Sequence, residues 1–236
     1  MAKPPSTPAG KPTSAAVAAF VKKVQSMPAV RAAGAAAGRL IFAMDATASR
    51  EPTWDHACRL QGEMFTVTQA LGALEIQLVW YRGFGEFEAS PFVASSAELV
   101  RRMTGVACHA GETQIGRVLE HAIAETRRRK VNAVVFVGDA VEEGVDRLAK
   151  LAGDLGLLGT PVFVFHEGGE AVARQCFETI ARLSGGAYCP FDAGSADVLR
   201  DLLAAVATFA VGGRQALEDF SRKRGGAALQ LTHRMR

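Results

Sequence analysis

The chain has 236 residues, 49% of them hydrophobic, enough for one sizeable core with tails. Its four cysteines, Cys58, Cys108, Cys176 and Cys189, show no CxxC spacing and no secretory leader opens the chain, which points to a reducing, cytoplasmic setting. The net charge of +3 divides into +5 over residues 1–37, +4 over residues 212–236 and −6 over the rest, so the basic character belongs to the tails and does not describe a nucleic-acid surface on the domain.

Residues 1–14, MAKPPSTPAGKPTS, lack large apolar groups and are expected to be disordered. Val17, Phe20, Val21 and Val24 then form one stripe of a short helix, with Lys22 and Lys23 on its other side. This acid-poor opening also resembles an organelle transit peptide, a reading against which the Ala- and Gly-rich composition of the whole chain weighs. From Leu40 the apolar run LIFAMD reads as a buried strand, and Pro52 and Thr53 open a helix with apolar positions from Ala57 to Leu71.

LEIQLVWYR is a second strand, and GEFEASPF, close behind it, suits an antiparallel edge partner. A short helix is expected from Ser95 to Met103, and a longer one over TQIGRVLEHAIAETRRRK, whose basic end complements the helix dipole. The strand VNAVVFVGD leads to a helix from about Val141 to Leu157. PVFVFHEG leads to a helix from Ala171 to Leu183, ended by Gly185 and Gly186. AYCPF is the last strand, and residues 196–210 the last helix. Apolar strands alternating with helices specify an α/β, doubly wound, Rossmann-like three-layer sandwich: a mostly parallel sheet of about six strands with one antiparallel edge. The domain spans residues 38–211, between a basic N-terminal tail (1–37) and a basic C-terminal helix and tail (212–236). The longest apolar stretches fall short of the ~20 residues that a membrane helix needs.

In a doubly wound sheet, ligands sit outside the carboxyl ends of the strands. Asp45, Thr47 and Ser49 follow the first strand, Thr113 leads into the long helix, and Asp139 follows the strand VNAVVFVG. Two carboxylates and three hydroxyls make an all-oxygen set suited to a hard dication, Mg²⁺ or Mn²⁺. Cys108 and His109 have no partner at zinc-ligand spacing.

These residues resemble the metal-ion-dependent adhesion site (MIDAS) of von Willebrand factor A domains: the DxSxS pattern, a Thr in a later loop and an Asp after the fourth strand. The likeness covers roughly residues 38–211. It implies Thr47 and Ser49 as direct ligands, Thr113 as a direct or state-dependent one, and Asp45 and Asp139 acting mainly through water. Thr47 stands where the family usually has Ser, and Ala140 where a Gly commonly follows the Asp. By this resemblance the chain is a non-enzymatic, intracellular, bacterial interaction module. Its Mg²⁺, with Mn²⁺ or Ca²⁺ as alternatives, receives an Asp or Glu of a protein partner, and an AAA+ ATPase or chaperone-like machine is the partner class that family analogy suggests.

Two other readings compete. A metal-activated hydrolase needs a general base near the ion, for which Glu112, Glu142 and Glu143 are the nearby candidates. A scaffold whose basic tails bind nucleic acid or an anionic surface lacks interleaved aromatics, since the tails hold only Phe20 and Phe220. The GxGxxG and GxSxG motifs are missing, and His56, His109, His121 and His166 are isolated in sequence.

Overall fold

The computed structural model of the chain describes residues 23, 38–51, 74–191, 205–206 and 209–210. The expected helix after Pro52, the N-terminal apolar stripe and the C-terminal tail lie outside them. Six strands form one sheet: β1 (Gly38–Asp45), β2 (Leu74–Arg82), β3 (Glu86–Ala89), β4 (Ala133–Gly138), β5 (Val162–Glu167) and β6 (Ala187–Phe191). Their order is β3-β2-β1-β4-β5-β6, with only β3 antiparallel and at the edge. The helices are α1 (Ser96–Thr104), α2 (Ile115–Arg128), α3 (Val145–Leu157) and α4 (Ala171–Ser184).

The period of two along β1 divides the core between two faces. Leu40, Phe42 and Met44 face a cluster that holds Leu99 and Met103 of α1 with Val206 and Phe209. Ile41 and Ala43 face the opposite cluster, built with α2, α3 and α4. All eight residues of β1 are buried, as a central strand covered on both sides requires. The three-layer α/β sandwich expected from the sequence is therefore present.

One boundary differs. The helix expected from about Val141 begins at Val145, because Glu142 and Glu143 serve another element. Glu142 Oε2 accepts from Thr113 N at 3.0 Å, and the Glu143 carboxylate accepts from Ile115 N and, at 2.9 Å, from Gly116 N. Acids at the amino end of α2 satisfy N–H groups that have no intrahelical partner and complement the helix dipole. Two residues with good helix propensity are thus held in a loop by the neighbouring helix.

Gly185 ends α4 in the left-handed region, φ 78°, and Gly186 passes so close to β5 that a Cβ there would lie 1.9 Å from Val162 O. Gly186→Ala is expected to push β6 from β5 and lower stability by about 3 kcal/mol. A urea unfolding midpoint that falls while the slope stays constant is the expected readout.

Candidate metal centre

The strand order reverses between β1 and β4, and the carboxyl ends of these two strands carry Asp45 and Asp139. Gly138 permits the close approach: a Cβ on it would stand 3.5 Å from Asp45 Cβ and 2.9 Å from the Phe136 ring. The sequence pattern thus places two carboxylates at the topological switch point, where this class of sheet opens a crevice.

Asp45 is fully buried and both its oxygens are engaged. Oδ1 accepts from Thr47 N at 2.8 Å and Oδ2 from the Tyr81 hydroxyl at 2.9 Å. The Asp45↔Tyr81 register of β1 and β2 sets the second bond. Burial is the largest influence on Asp45 and raises its pKa above 3.8; the Thr47 hydrogen bonds pull it down and the nearby Asp139 raises it further. Burial also holds Tyr81 well above its ordinary pKa, so it stays a neutral donor.

Thr47 and Ser49 place their hydroxyl oxygens 3.1 Å apart. Thr47 precedes a single 3₁₀ turn, Ala48–Arg50, yet its side chain makes no capping bond to that turn, and Ser49 is exposed. The methyl of Thr47 leaves this pair of oxygens together. The pattern D45-x-T47-x-S49 therefore becomes a chain of contacting polar groups at the end of β1.

Thr113 is joined to the loop of Asp139. Its backbone N–H donates to Glu142 Oε2, and its Oγ1 accepts from Glu142 N, both at 3.0 Å. A hydroxyl retains a further lone pair and its own proton after accepting one bond. The loop that precedes Thr113 lies along the β1 end: His109 N donates to Ala46 O at 3.0 Å, and Thr47 bridges His109.

Asp139 has one buried oxygen, Oδ1, with no hydrogen-bond partner among the described residues. Asp139 follows β4, which pairs with β1, and lies near enough for its charge to raise the Asp45 pKa. An orphaned buried carboxylate oxygen after β4, on the strand next to the one that ends in Asp45 and the two hydroxyls, belongs to a donor set of the kind that a hard dication satisfies. Among the described residues no three His, Cys, Asp or Glu side chains gather for a metal, so a cage of acids, thiols and imidazoles is not what they form. Of the candidate bases, the Glu142 carboxylate accepts from Thr113 N and the Glu143 carboxylate from Gly116 N.

Two residues with no motif to announce them position the site. Arg50, 1% exposed, donates from Nη1 to the Asp45 carbonyl at 2.7 Å and from Nε to Glu167 Oε2 at 2.9 Å, tying the β1 end to the β5 end. Tyr81 fixes the Asp45 carboxylate. The histidines have separate partners: His166 is buried and bonds the Tyr188 hydroxyl at 2.8 Å, His121 bonds Gln77 at 2.8 Å, and His109 Nδ1 lies 3.8 Å from Glu86 Oε1. His56 lies outside the described residues.

Asp45 titrates higher in the folded chain than in the unfolded one. Between 3.8 and its folded value, the folded chain binds more protons than the unfolded one, so Asp45's contribution to stability declines as pH rises through that window. A cation at this carboxylate competes with the same proton. Mg²⁺ affinity is therefore expected to rise with pH through that window, by up to about tenfold per pH unit, as calorimetric titrations at successive pH values would record.

Comparison of the sequence with protein-family models and with curated proteins gives no match. Comparison with solved structures does. The fold is that of von Willebrand factor A domains. The chain is similar to the SpRpn10 VWA domain, at 12% identity and a TM-score of 0.58, over 71% of this chain and 94% of that one. It is similar to a von Willebrand factor type A protein from Catenulispora acidiphila, at 15% identity and 0.61, over 74% of this chain and 43% of that one. A third likeness, 15% identical with a TM-score of 0.60, is to proximal thread matrix protein 1 from the mussel byssus, solved with a zinc-occupied MIDAS motif; it covers 73% of this chain and 46% of that one. The chain thus spans less than half the length of the last two. No helix among the described residues is long and apolar enough to cross a membrane.

Proposed function

We propose that this chain is a metal-dependent protein-interaction module in which Asp45, Thr47, Ser49, Thr113 and Asp139 hold a divalent cation, Mg²⁺ in the first instance. The observation that carries the reading is the buried, unpartnered Asp139 Oδ1 beside Asp45 at the β1–β4 switch point. Thr47 and Ser49 supply hydroxyl oxygens to the ion, and Thr113 supplies a third. Asp45, whose two oxygens already accept hydrogen bonds, acts through water. A solved structure of the same fold carries zinc in the corresponding motif, which supports a divalent ion here.

When bound, the ion supplies a net positive charge at the sheet edge. Neutral hydroxyls do not cancel that charge as direct carboxylates do, so an Asp or Glu of a partner is the natural occupant of the remaining position. The engagement of Glu142 and Glu143 with α2 favours binding over hydrolysis. We place the module inside a bacterial cell, as an adaptor in a multiprotein assembly, with an AAA+ ATPase as the partner class suggested by analogy. Affinity capture from native lysate with Mg²⁺, with EDTA, and with the Thr113→Ala chain tests the reading. Partners lost in both of the last two conditions support it; an identical set of partners in all three sinks it.

A further inference from the structure

The β2–β3 turn shows an aromatic side chain to solvent at the same sheet edge. Phe84 is 82% exposed and stands between two glycines in the left-handed region, Gly83 at φ 57° and Gly85 at φ 101°. An exposed Phe on a loose turn would mean little. This turn is fastened. Glu112 N donates to Gly83 O at 3.3 Å, Gln114 Nε2 donates to Arg82 O at 3.3 Å and to Glu86 O at 3.2 Å, and Arg117 Nη1 donates to Gly85 O at 2.7 Å. Gly111 lies against the turn so tightly that a Cβ on it would be 2.0 Å from Gly83 O.

All of these fasteners come from the segment that contains Thr113. Thr113 follows Gly111 by two Cα steps of about 3.8 Å each, so the Phe84 turn and the Thr113 hydroxyl form one unit at short range. The rest of the edge agrees. The described residues include four exposed large apolar side chains, and three of them, Phe84, Val145 and Val172, follow the carboxyl ends of strands β2, β4 and β5. Leu157, at the far end of α3, is the exception. In the strand order β2-β1-β4-β5, the strands of Asp45 and Asp139 lie between that of Phe84 and that of Val172, and Val145 follows the same strand as Asp139.

We propose that Phe84 is the apolar anchor of the partner interface: the partner is a protein segment that sets a carboxylate at the metal and lays a large apolar side chain against Phe84. This assignment rests on the metal reading above and adds the second half of the recognition element. Interfaces concentrate their energy in aromatic anchors, and a turn whose backbone is held by four hydrogen bonds leaves only the Phe84 side chain to be ordered on binding.

The test selects a displayed library of random peptides on the full chain in Mg²⁺, then measures the enriched peptides against wild type and Phe84→Ser, each with a Mg²⁺ titration. Expected are peptides that pair Asp or Glu with a large apolar residue at a constant spacing, and that bind Phe84→Ser about tenfold or more weakly. Peptides that bind both chains alike while both bind Mg²⁺ overturn the assignment of Phe84 and leave the metal reading standing. So does a library from which nothing is enriched on wild type over Phe84→Ser. If neither chain binds Mg²⁺, the metal reading fails and takes this one with it.

Discussion

Asp139→Asn is expected to weaken Mg²⁺ binding by about 10- to 100-fold, the usual cost of losing a polar group that supports a metal site, and at the same time to stabilise the metal-free chain. The two effects have one cause. Asp139 Oδ1 is buried without a hydrogen-bond donor among the described residues, and its charge acts on Asp45 at the β1–β4 junction. Removing that charge while keeping the shape relieves the repulsion, worth about 0.5–1 kcal/mol on the scale of partly screened pairs, and deletes what attracts the cation. Binding sites commonly hold such stored cost. A purely structural Asp139 behaves oppositely, since its replacement lowers stability. Calorimetric titration and urea unfolding in EDTA, run on the same two chains, separate these outcomes.

Arg50→Met should cost about 3–5 kcal/mol, the penalty for leaving one member of a buried ion pair without its partner. The Arg50 side chain is wholly inaccessible, and its substitution strands both the Glu167 carboxylate, 11% exposed, and the Asp45 carbonyl. Adding Glu167→Gln should restore most of the loss, because the stranded charge rather than the lost attraction dominates. A double-mutant cycle by urea unfolding measures the coupling. Full additivity of the two substitutions would mean that the pair does not tie β1 to β5.

Much of this arrangement was legible in the sequence, and the reasons are local. LIFAMD and VNAVVFVG announce strands covered on both faces, and the hairpin spacing of LEIQLVWYR and GEFEASPF announces the antiparallel edge. The alternation of Asp45, Thr47 and Ser49 survives as a contacting chain because all three belong to one short stretch of backbone. What escaped was fixed by pairings distant in sequence. Tyr81 reads as one more aromatic in an apolar strand until the β1–β2 register sets it opposite Asp45. Arg50 and Glu167 are separated by 117 positions, and nothing local to either marks a buried ion pair. Glu142 and Glu143 read as the first turn of a helix; their real partners are N–H groups of α2 and Thr113, 27 to 29 residues earlier.

The coupling of Thr113 to Glu142 gives the site a mechanical feature as well as a chemical one. The reciprocal bonds at 3.0 Å fasten the α2 entry loop to the loop of Asp139, and the α2 entry also carries the fasteners of the Phe84 turn. Metal, carboxylate and apolar anchor would then be read by one rigid unit, in which a displacement at one point is felt at the others. The proposed recognition surface would then lie at the carboxyl ends of three consecutive strands, β2, β1 and β4.

The central claim is that the oxygen cluster at the carboxyl ends of β1 and β4 binds a divalent cation. Its most direct test is a crystal structure of the full chain grown with Mn²⁺, with diffraction data collected at a wavelength where manganese scatters anomalously. An anomalous peak is expected in direct contact with the Thr47 and Ser49 hydroxyls, with Asp45 and Asp139 around it. An anomalous map featureless at this edge, at Mn²⁺ concentrations that saturate ordinary sites of this kind, would contradict it.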